Sequence, residues 1–353
     1  MTASADASRR IGARQVLQFI GGFALAGALL GWGLPYFAKT SWPAIWSVIG
    51  TVSAWQSLGF VALVVTGLGA YTFTLTGSMP GLSHLRALIV NVCGSSVSNL
   101  LPAGGALGMA ATFTICRSWG FTRRAVSTSI IVSAVWNTLF RIALPLIAIV
   151  LLTLGRAEMP RIMRDAAVAA VASGAAIVAV FIAVLASGRA ATTVGRGVDR
   201  MLRPLTRRRP RSMSVDALVT DLRARIIDVV RTGWFPMTMG LVGYFAFYYL
   251  VFLAIMRTTG VELFHGELFA AFAIGRLLTA VGITPGGVGV TETGTAAALV
   301  AWGAAPAEAT AGVVLFSIFT HLLEVPLGAI GWLAWSMMPK TPVPDDEPAP
   351  SVP

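Results

Sequence analysis

Apolar residues form runs long enough to cross a membrane at six places, residues 16 to 38, 52 to 76, 125 to 154, 166 to 186, 235 to 257 and 309 to 337. A helix needs about 20 apolar residues to cross a hydrocarbon core roughly 30 Å thick, so each run predicts a spanning helix. Four shorter runs, 87 to 101, 103 to 116, 268 to 283 and 286 to 303, form two pairs. Each pair is divided by proline and glycine: Asn99-Leu100-Leu101-Pro102-Ala103-Gly104-Gly105 in the first, Gly282-Ile283-Thr284-Pro285-Gly286-Gly287 in the second. Proline removes a helix hydrogen bond and glycine weakens the helix, so such breaks survive in a bilayer only where the freed backbone is buried in protein or faces a polar cavity. The arms are short for a full crossing, and each pair predicts a re-entrant hairpin that meets its break near mid-membrane.

The two breaks lie 183 residues apart, and in both the pair Trp-Gly (Trp119-Gly120, Trp302-Gly303) follows the proline by 17 residues. Matched breaks in two halves point to a transport site. The expected architecture is an all-α polytopic membrane protein of six transmembrane helices plus two re-entrant hairpins, arranged as an inverted repeat. Repeat one covers 16–154 and repeat two 166–338, within a membrane domain 16–338. Residues 1–15 form a cytoplasmic N-terminus, 187–234 a basic amphipathic linker, and 339–353 a proline-rich tail that has no means of burying a core and is expected to be disordered.

Composition supports the class: 56% of residues are hydrophobic and 12% charged, which excludes an ordinary soluble domain. Charge sets the orientation. With the N-terminus inside, 19 of the 26 basic residues lie on the cytoplasmic face, including the eleven arginines between 189 and 231. The net charge of +11 is thereby explained by topology and by attraction to anionic headgroups at the cytoplasmic face, and no nucleic acid is implied. The first apolar run follows Arg9, Arg10 and Arg14, is too long for a signal peptide, and reads as an uncleaved anchor. Arginine outnumbers lysine 24 to 2 and alanine is abundant, which suggests a bacterial origin; with the orientation above, the expectation is a cytoplasmic (inner) membrane protein with both termini cytoplasmic.

The linker holds the basic run Arg203 to Arg211, and after it Val215, Leu218, Val219, Leu222, Ile226, Val229 and Val230 share one helical face. This predicts an amphipathic helix lying at the membrane surface. Cys93 and Cys116 have neither metal-site nor disulfide spacing and read as packing residues. The glycine clusters lack the Lys-Ser/Thr of a phosphate-binding loop and follow no strand, so no nucleotide cofactor is implied.

Polar groups at membrane depth are the candidate chemistry. Arg141, in Trp136-Asn137-Thr138-Leu139-Phe140-Arg141, maps onto Glu324 by the 183-residue offset. A lone charge there costs about 2.5–3.5 kcal/mol on insertion scales. Two readings stand: an interior salt bridge that holds the halves in register, or an arginine that binds a lipid phosphate bidentately while Glu324 orients or releases it. Glu292 follows the second break and either caps the returning half-helix or pairs in a cavity with Arg276 or a cationic headgroup. Arg276 either takes part in that site or snorkels to the outer surface. His321 is either a proton-linked group or a hydrogen-bonded packing residue. Asn99, Asn137 and the half-helix starts at Gly104, Gly105, Gly286 and Gly287 complete the candidate binding set, because free backbone N–H groups at helix starts suit an anion.

The stretches Asn99 to Gly108, Arg117-Ser118-Trp119-Gly120-Phe121 and Thr284 to Glu292 resemble the lysylphosphatidylglycerol synthase transmembrane, or flippase-like, family, and the resemblance covers nearly the whole chain. In bifunctional members a flippase domain precedes a soluble aminoacyl transferase and moves aminoacylated phosphatidylglycerol between leaflets. The chain stops at Pro353, so the resemblance implies the translocating half alone and no enzyme activity. Many members carry a Glu after the first break as well; Met109 stands about there. The expected ligand therefore widens to an anionic or aminoacylated phospholipid or a polyprenyl-phosphate-linked lipid. Two further readings remain: a non-catalytic membrane partner of a lipid-modifying or glycosylating enzyme, resting on the amphipathic linker, and an intramembrane enzyme acting on lipid phosphates. Against the enzyme, His321 has no clustered second carboxylate or metal-ligand spacing.

Overall fold

Local signals place most helix ends. In the computed structural model, which describes residues 27–101, 104–154, 215–279, 284 and 287–341 with single positions at 24, 172, 176, 179, 183 and 187, the described secondary structure is all helical. A π-helical turn (Leu29–Gly33) runs into the short α1 (Leu34–Ala38), which stops at Lys39 in the left-handed region (φ 53°). Pro43 then sits in the first turn of α2 (Trp42–Ile49), where a missing N–H is harmless. Ser53 and Gln56 cap each other reciprocally to open α3 (Ala54–Ser78), and the Ser83 hydroxyl accepts from the Arg86 N–H to open α4 (His84–Leu100).

After the first break come α5 (Gly104–Ser118) and α6 (Arg123–Leu154), then α7 (Val215–Thr258), α8 (His265–Leu278), α9 (Val290–Ala301), α10 (Pro306–Ser317), a π-helical turn (Ile318–Leu322) and α11 (Glu324–Met337). Among the described residues four rods are long and apolar enough to cross a membrane: α3, α6, α7 from Ala224, and α10 through α11. The protein is a multi-pass membrane protein. These rods correspond to the spans expected over 52 to 76, 125 to 154, 235 to 257 and 309 to 337. The span expected over 166 to 186 and the linker from 187 to 214 lie outside the described residues apart from isolated positions, as do residues 1–15 and the first run up to residue 26.

Both broken segments fold into helical hairpins, α4 against α5 and α8 against α9. Their packing is reciprocal. The first arm α4 lies on α11, the end of the second half, and the first arm α8 lies on α6, the end of the first half, while α3 and α7 pack along one another at the centre. The 183-residue offset carries both ends of α6, 123 and 154, onto 306 and 337, the ends of the rod formed by α10 and α11. Gly120 (φ 87°) and Gly303 (φ 99°), also related by that offset, make the turns before these rods with a backbone that residues carrying a Cβ rarely adopt. The core fills the space between α3, α7, α8 and α10 with Tyr248, Phe252, Phe272 and Phe316, and the three phenylalanine rings meet edge-on or tilted.

Two expectations are corrected. The linker helix is not a separate surface element: it continues through Pro236 as one 44-residue helix, α7. At Ile226, Val229 and Val230 its apolar side chains pack with Val132, Ile131 and Trp136 of α6, so protein covers that part of the face. The tail does not begin at residue 339. Lys340 lies over the Trp335 ring at 3.8 Å and the Thr341 N–H donates to the Ser118 carbonyl at 3.0 Å, so the chain is tied to the end of the first hairpin as far as Thr341; the residues beyond it lie outside the described ones. The helix α2, unannounced by the sequence reading, exposes Trp46, and Trp32, Tyr36 and Trp55 are exposed as well, ring types suited to a membrane interface. Cys93 and Cys116 are buried and unbridged, as packing residues are.

Candidate functional site

Between the two hairpins and the central helices lies a cavity of about 510 Å³. Polar helix starts and charged side chains face it from both halves of the chain. Arg141, Arg276, Asn99, His321, Glu324, Gly104, Gly105 and Gly287, all anticipated from sequence, line it. Gly286 lies outside the described residues.

Arg276 sits in the last turn of α8 and is 4% exposed. It does not snorkel, because α8 ends at the cavity and not at the membrane surface. Its guanidinium lies over Phe272 and Phe316, 5.6 and 5.1 Å from their centroids, contacts that hold a cation in apolar surroundings. Its Nε and Nη2 are buried with no hydrogen-bond partner among the described residues. A buried donor left unpaired is costly, and more so when it is charged.

Arg141, half-buried on α6, is held in place. Its Nε donates to Asn137 Oδ1 one turn earlier (2.8 Å), and its Nη1 donates to the Thr279 hydroxyl (2.8 Å) and the Arg276 carbonyl (3.2 Å). Asn137 is thus a positioning residue and does not line the cavity. Both guanidiniums share one cavity, and neither forms an ion pair with Glu324. The salt-bridge reading of Arg141 and Glu324 is therefore set aside: helix packing turns Arg141 towards the end of α8.

Glu324 opens α11 just after the π turn, a local widening often found at functional sites. It is 7% exposed. Tyr248 donates to its Oε1 (2.9 Å) and Asn99 donates to its Oε2 (3.0 Å), with the Asn99 amide also reaching the His321 carbonyl (3.3 Å). The carboxylate is thereby fixed across the joint between α4, α7 and α11.

Glu292 is elsewhere. It is 2% exposed, its Oε2 accepts from the Gly289 N–H (2.5 Å) and its Oε1 accepts from the Ser317 hydroxyl. It caps α9 and ties it to α10, and it does not line the 510 Å³ cavity, so its assignment to that binding site is corrected. Instead it borders an apolar groove of about 310 Å³ bounded by Leu30, Trp42, Trp46 and Leu322. Asn99 and His321 line both spaces and form part of the wall between them.

The glycines of the first break act through space. A Cβ on Gly104 would fall 2.1 Å from the Ser98 carbonyl, and one on Gly108 2.2 Å from the Ser98 hydroxyl, so α5 lies directly against α4. Gly105 has open space around it and faces the cavity.

Sequence reading missed Tyr71, Tyr244, Tyr248, Asn91 and Thr279, all of which line the cavity. Tyr244 and Tyr248, one turn apart inside an apolar run, were a legible signal, because buried tyrosines find partners for their hydroxyls. Asn91, with its buried Nδ2 unpartnered, was another, standing alone between valines. Among the described residues no group of three or more His, Cys, Asp or Glu could hold a metal.

The sequence model of a family described as the lysylphosphatidylglycerol synthase TM region matches residues 19–328, a span that includes both hairpins and every cavity residue named above. No curated protein matches the chain.

Proposed function

The chain belongs to the lysylphosphatidylglycerol synthase transmembrane-region family, and from that premise we propose that it carries a lipid with an anionic headgroup between leaflets of the cytoplasmic membrane. One observation carries the reading: Arg276, almost wholly buried, has two side-chain nitrogens without a partner among the described residues and lines the same cavity as Arg141. A phosphate supplies the missing acceptors and offsets two like charges, and guanidinium forks suit its geometry. The headgroup enters the cavity while the acyl chains stay in lipid.

In this reading both hairpins are re-entrant, the two halves form an inverted repeat, and the termini are cytoplasmic. The reciprocal packing of α4 on α11 and α8 on α6 supports the repeat, since a two-fold axis in the membrane plane exchanges those contacts. Rocking of one half against the other opens the site alternately to either side. The ligand is an anionic or aminoacylated phospholipid, or a polyprenyl phosphate. The partner-protein alternative has less support where Ile226, Val229 and Val230 of the linker helix already pack on α6.

The test is leaflet exchange of fluorescent phosphatidylglycerol, its aminoacylated form and a polyprenyl phosphate in proteoliposomes, comparing the natural protein with Arg276→Met. Exchange of one class, at least tenfold slower in the variant, supports the reading. Failure of folded natural protein to exchange any of them overturns it.

A further inference from the structure

The groups at the wall between the polar cavity and the apolar groove form a connected chain that anion binding alone does not require. Ser317 donates its hydroxyl hydrogen to Glu292. Thr320 donates its own to the Phe316 carbonyl at 2.6 Å. Both hydroxyls lie near His321 Nδ1, at 3.3 and 3.4 Å, and with their hydrogens committed elsewhere each can only accept from it. Neutral His321 therefore carries its hydrogen on Nδ1, which leaves Nε2 as a free acceptor with no partner among the described residues. His321 lines the cavity on one side and borders the groove on the other, where Glu292 sits.

Resting on the reading of the cavity as an anion site, we propose that His321, Ser317 and Glu292 form a proton relay that takes up one proton from the cavity when an anionic headgroup binds. The step balances without any redox partner. A proton adds to His321 Nε2; the hydrogen on Nδ1 passes to the Ser317 oxygen as the Ser317 hydrogen passes to the Glu292 carboxylate. The imidazole ends neutral with its hydrogen on Nε2, Ser317 regains a hydroxyl, and Glu292 becomes a neutral carboxylic acid. The net charge of the site rises by one unit, because the proton taken up has neutralised the Glu292 carboxylate.

The charged and titratable groups facing His321 explain why the event is tied to the ligand. Arg141 comes from α6, Arg276 from α8, Glu292 from α9 and Glu324 from α11, with the phenols of Tyr71, Tyr244 and Tyr248 from α3 and α7. The two guanidiniums oppose a further positive charge at the imidazole. An anion between them removes that opposition, so anion binding and proton binding favour one another, and by linkage each raises the affinity for the other. The relay ends beside the groove, so the stored proton can leave towards the space opposite the one it entered from. This gives the carrier a means of coupling to a proton gradient.

The test is calorimetry of dihexanoyl phosphatidylglycerol binding to the detergent-solubilised full chain in buffers of different ionisation enthalpy, from about pH 5 to pH 8. A phosphodiester does not titrate there, so any proton exchanged belongs to the protein. Uptake of about one proton per lipid bound, abolished per molecule still bound in both His321→Gln and Glu292→Gln, is the expected result. Glu292→Gln keeps the acceptor for the Gly289 N–H, so loss of uptake in that variant is not a folding effect. Binding without proton uptake overturns the relay and leaves the anion site standing. Uptake that survives in Glu292→Gln but disappears in Glu324→Gln also overturns it, since the proton then rests on Glu324. No binding to folded protein removes the anion site and the relay with it.

Discussion

Arg141 donates a hydrogen bond to the main-chain carbonyl of Arg276 at 3.2 Å, so the two cations of the cavity are joined through the end of α8 although 135 residues separate them. The same carbonyl accepts from Thr279 at 2.7 Å. One guanidinium thus fixes the helix end that presents the other, and neither is neutralised by a carboxylate in contact among the described residues. An arrangement of this kind is unfavourable to the empty protein and favourable to an anion.

Replacing Arg276 by methionine removes a buried charge with unpaired donors and keeps most of its volume. The variant unfolds at a higher temperature in detergent than the natural protein, by an amount corresponding to roughly 1–4 kcal/mol. It loses phospholipid binding at the same time. Gain of stability with loss of binding marks a residue retained for function.

Tyr248 and Glu324 form a buried hydrogen bond of 2.9 Å between α7 and α11. Tyr248→Phe destabilises by about 1.5–3 kcal/mol, the usual worth of a bond to a charged group. Combined with Glu324→Gln, the two changes are less than additive by about 0.5–3 kcal/mol, as thermal unfolding of the four proteins of the double-mutant cycle will show.

Adjacent glycines give opposite outcomes. Gly104→Ala places a methyl group 2.1 Å from the Ser98 carbonyl and forces the hairpin apart, destabilising by about 1–3 kcal/mol. Gly105→Ala meets nothing within 4 Å and replaces a helical glycine, so stability rises by about 0.5–1 kcal/mol. Thermal unfolding of the two single variants distinguishes them.

Glu292→Ala takes away the acceptor for both the Gly289 N–H and the Ser317 hydroxyl, leaving two buried donors unsatisfied. The loss is about 2–4 kcal/mol, and hydrogen exchange at the first turn of α9 accelerates at least tenfold. Glu292→Gln retains most of that protection, since an amide oxygen still accepts at the cap.

Much of the fold was legible because its signals are local. The length of an apolar run decides whether a helix can cross a bilayer, and proline with glycine decides where it breaks, so α3, α6 and both hairpins follow from neighbouring residues alone. The shared offset of Pro102 with Pro285 and of Trp119 with Trp302 extended this to a correspondence that α6 and the rod of α10 and α11 reproduce at both ends. The linker helix shows where locality fails: its apolar face was evident, but whether lipid or α6 would cover it was not.

By itself the sequence determined that this is a helical membrane protein with two broken segments and a small set of costly charges at membrane depth. Only the tertiary structure decided which of those charges meet. It brought Arg141 to the end of α8 and away from Glu324, gave Glu324 to Tyr248 and Asn99, and set Glu292 behind the wall of the cavity as a cap. The reason is physical. A side chain's cost at bilayer depth depends on its own position in an apolar run, but its partner depends on how helices far apart in sequence rotate to bury their apolar faces, and that rotation is fixed by the packing of the whole molecule.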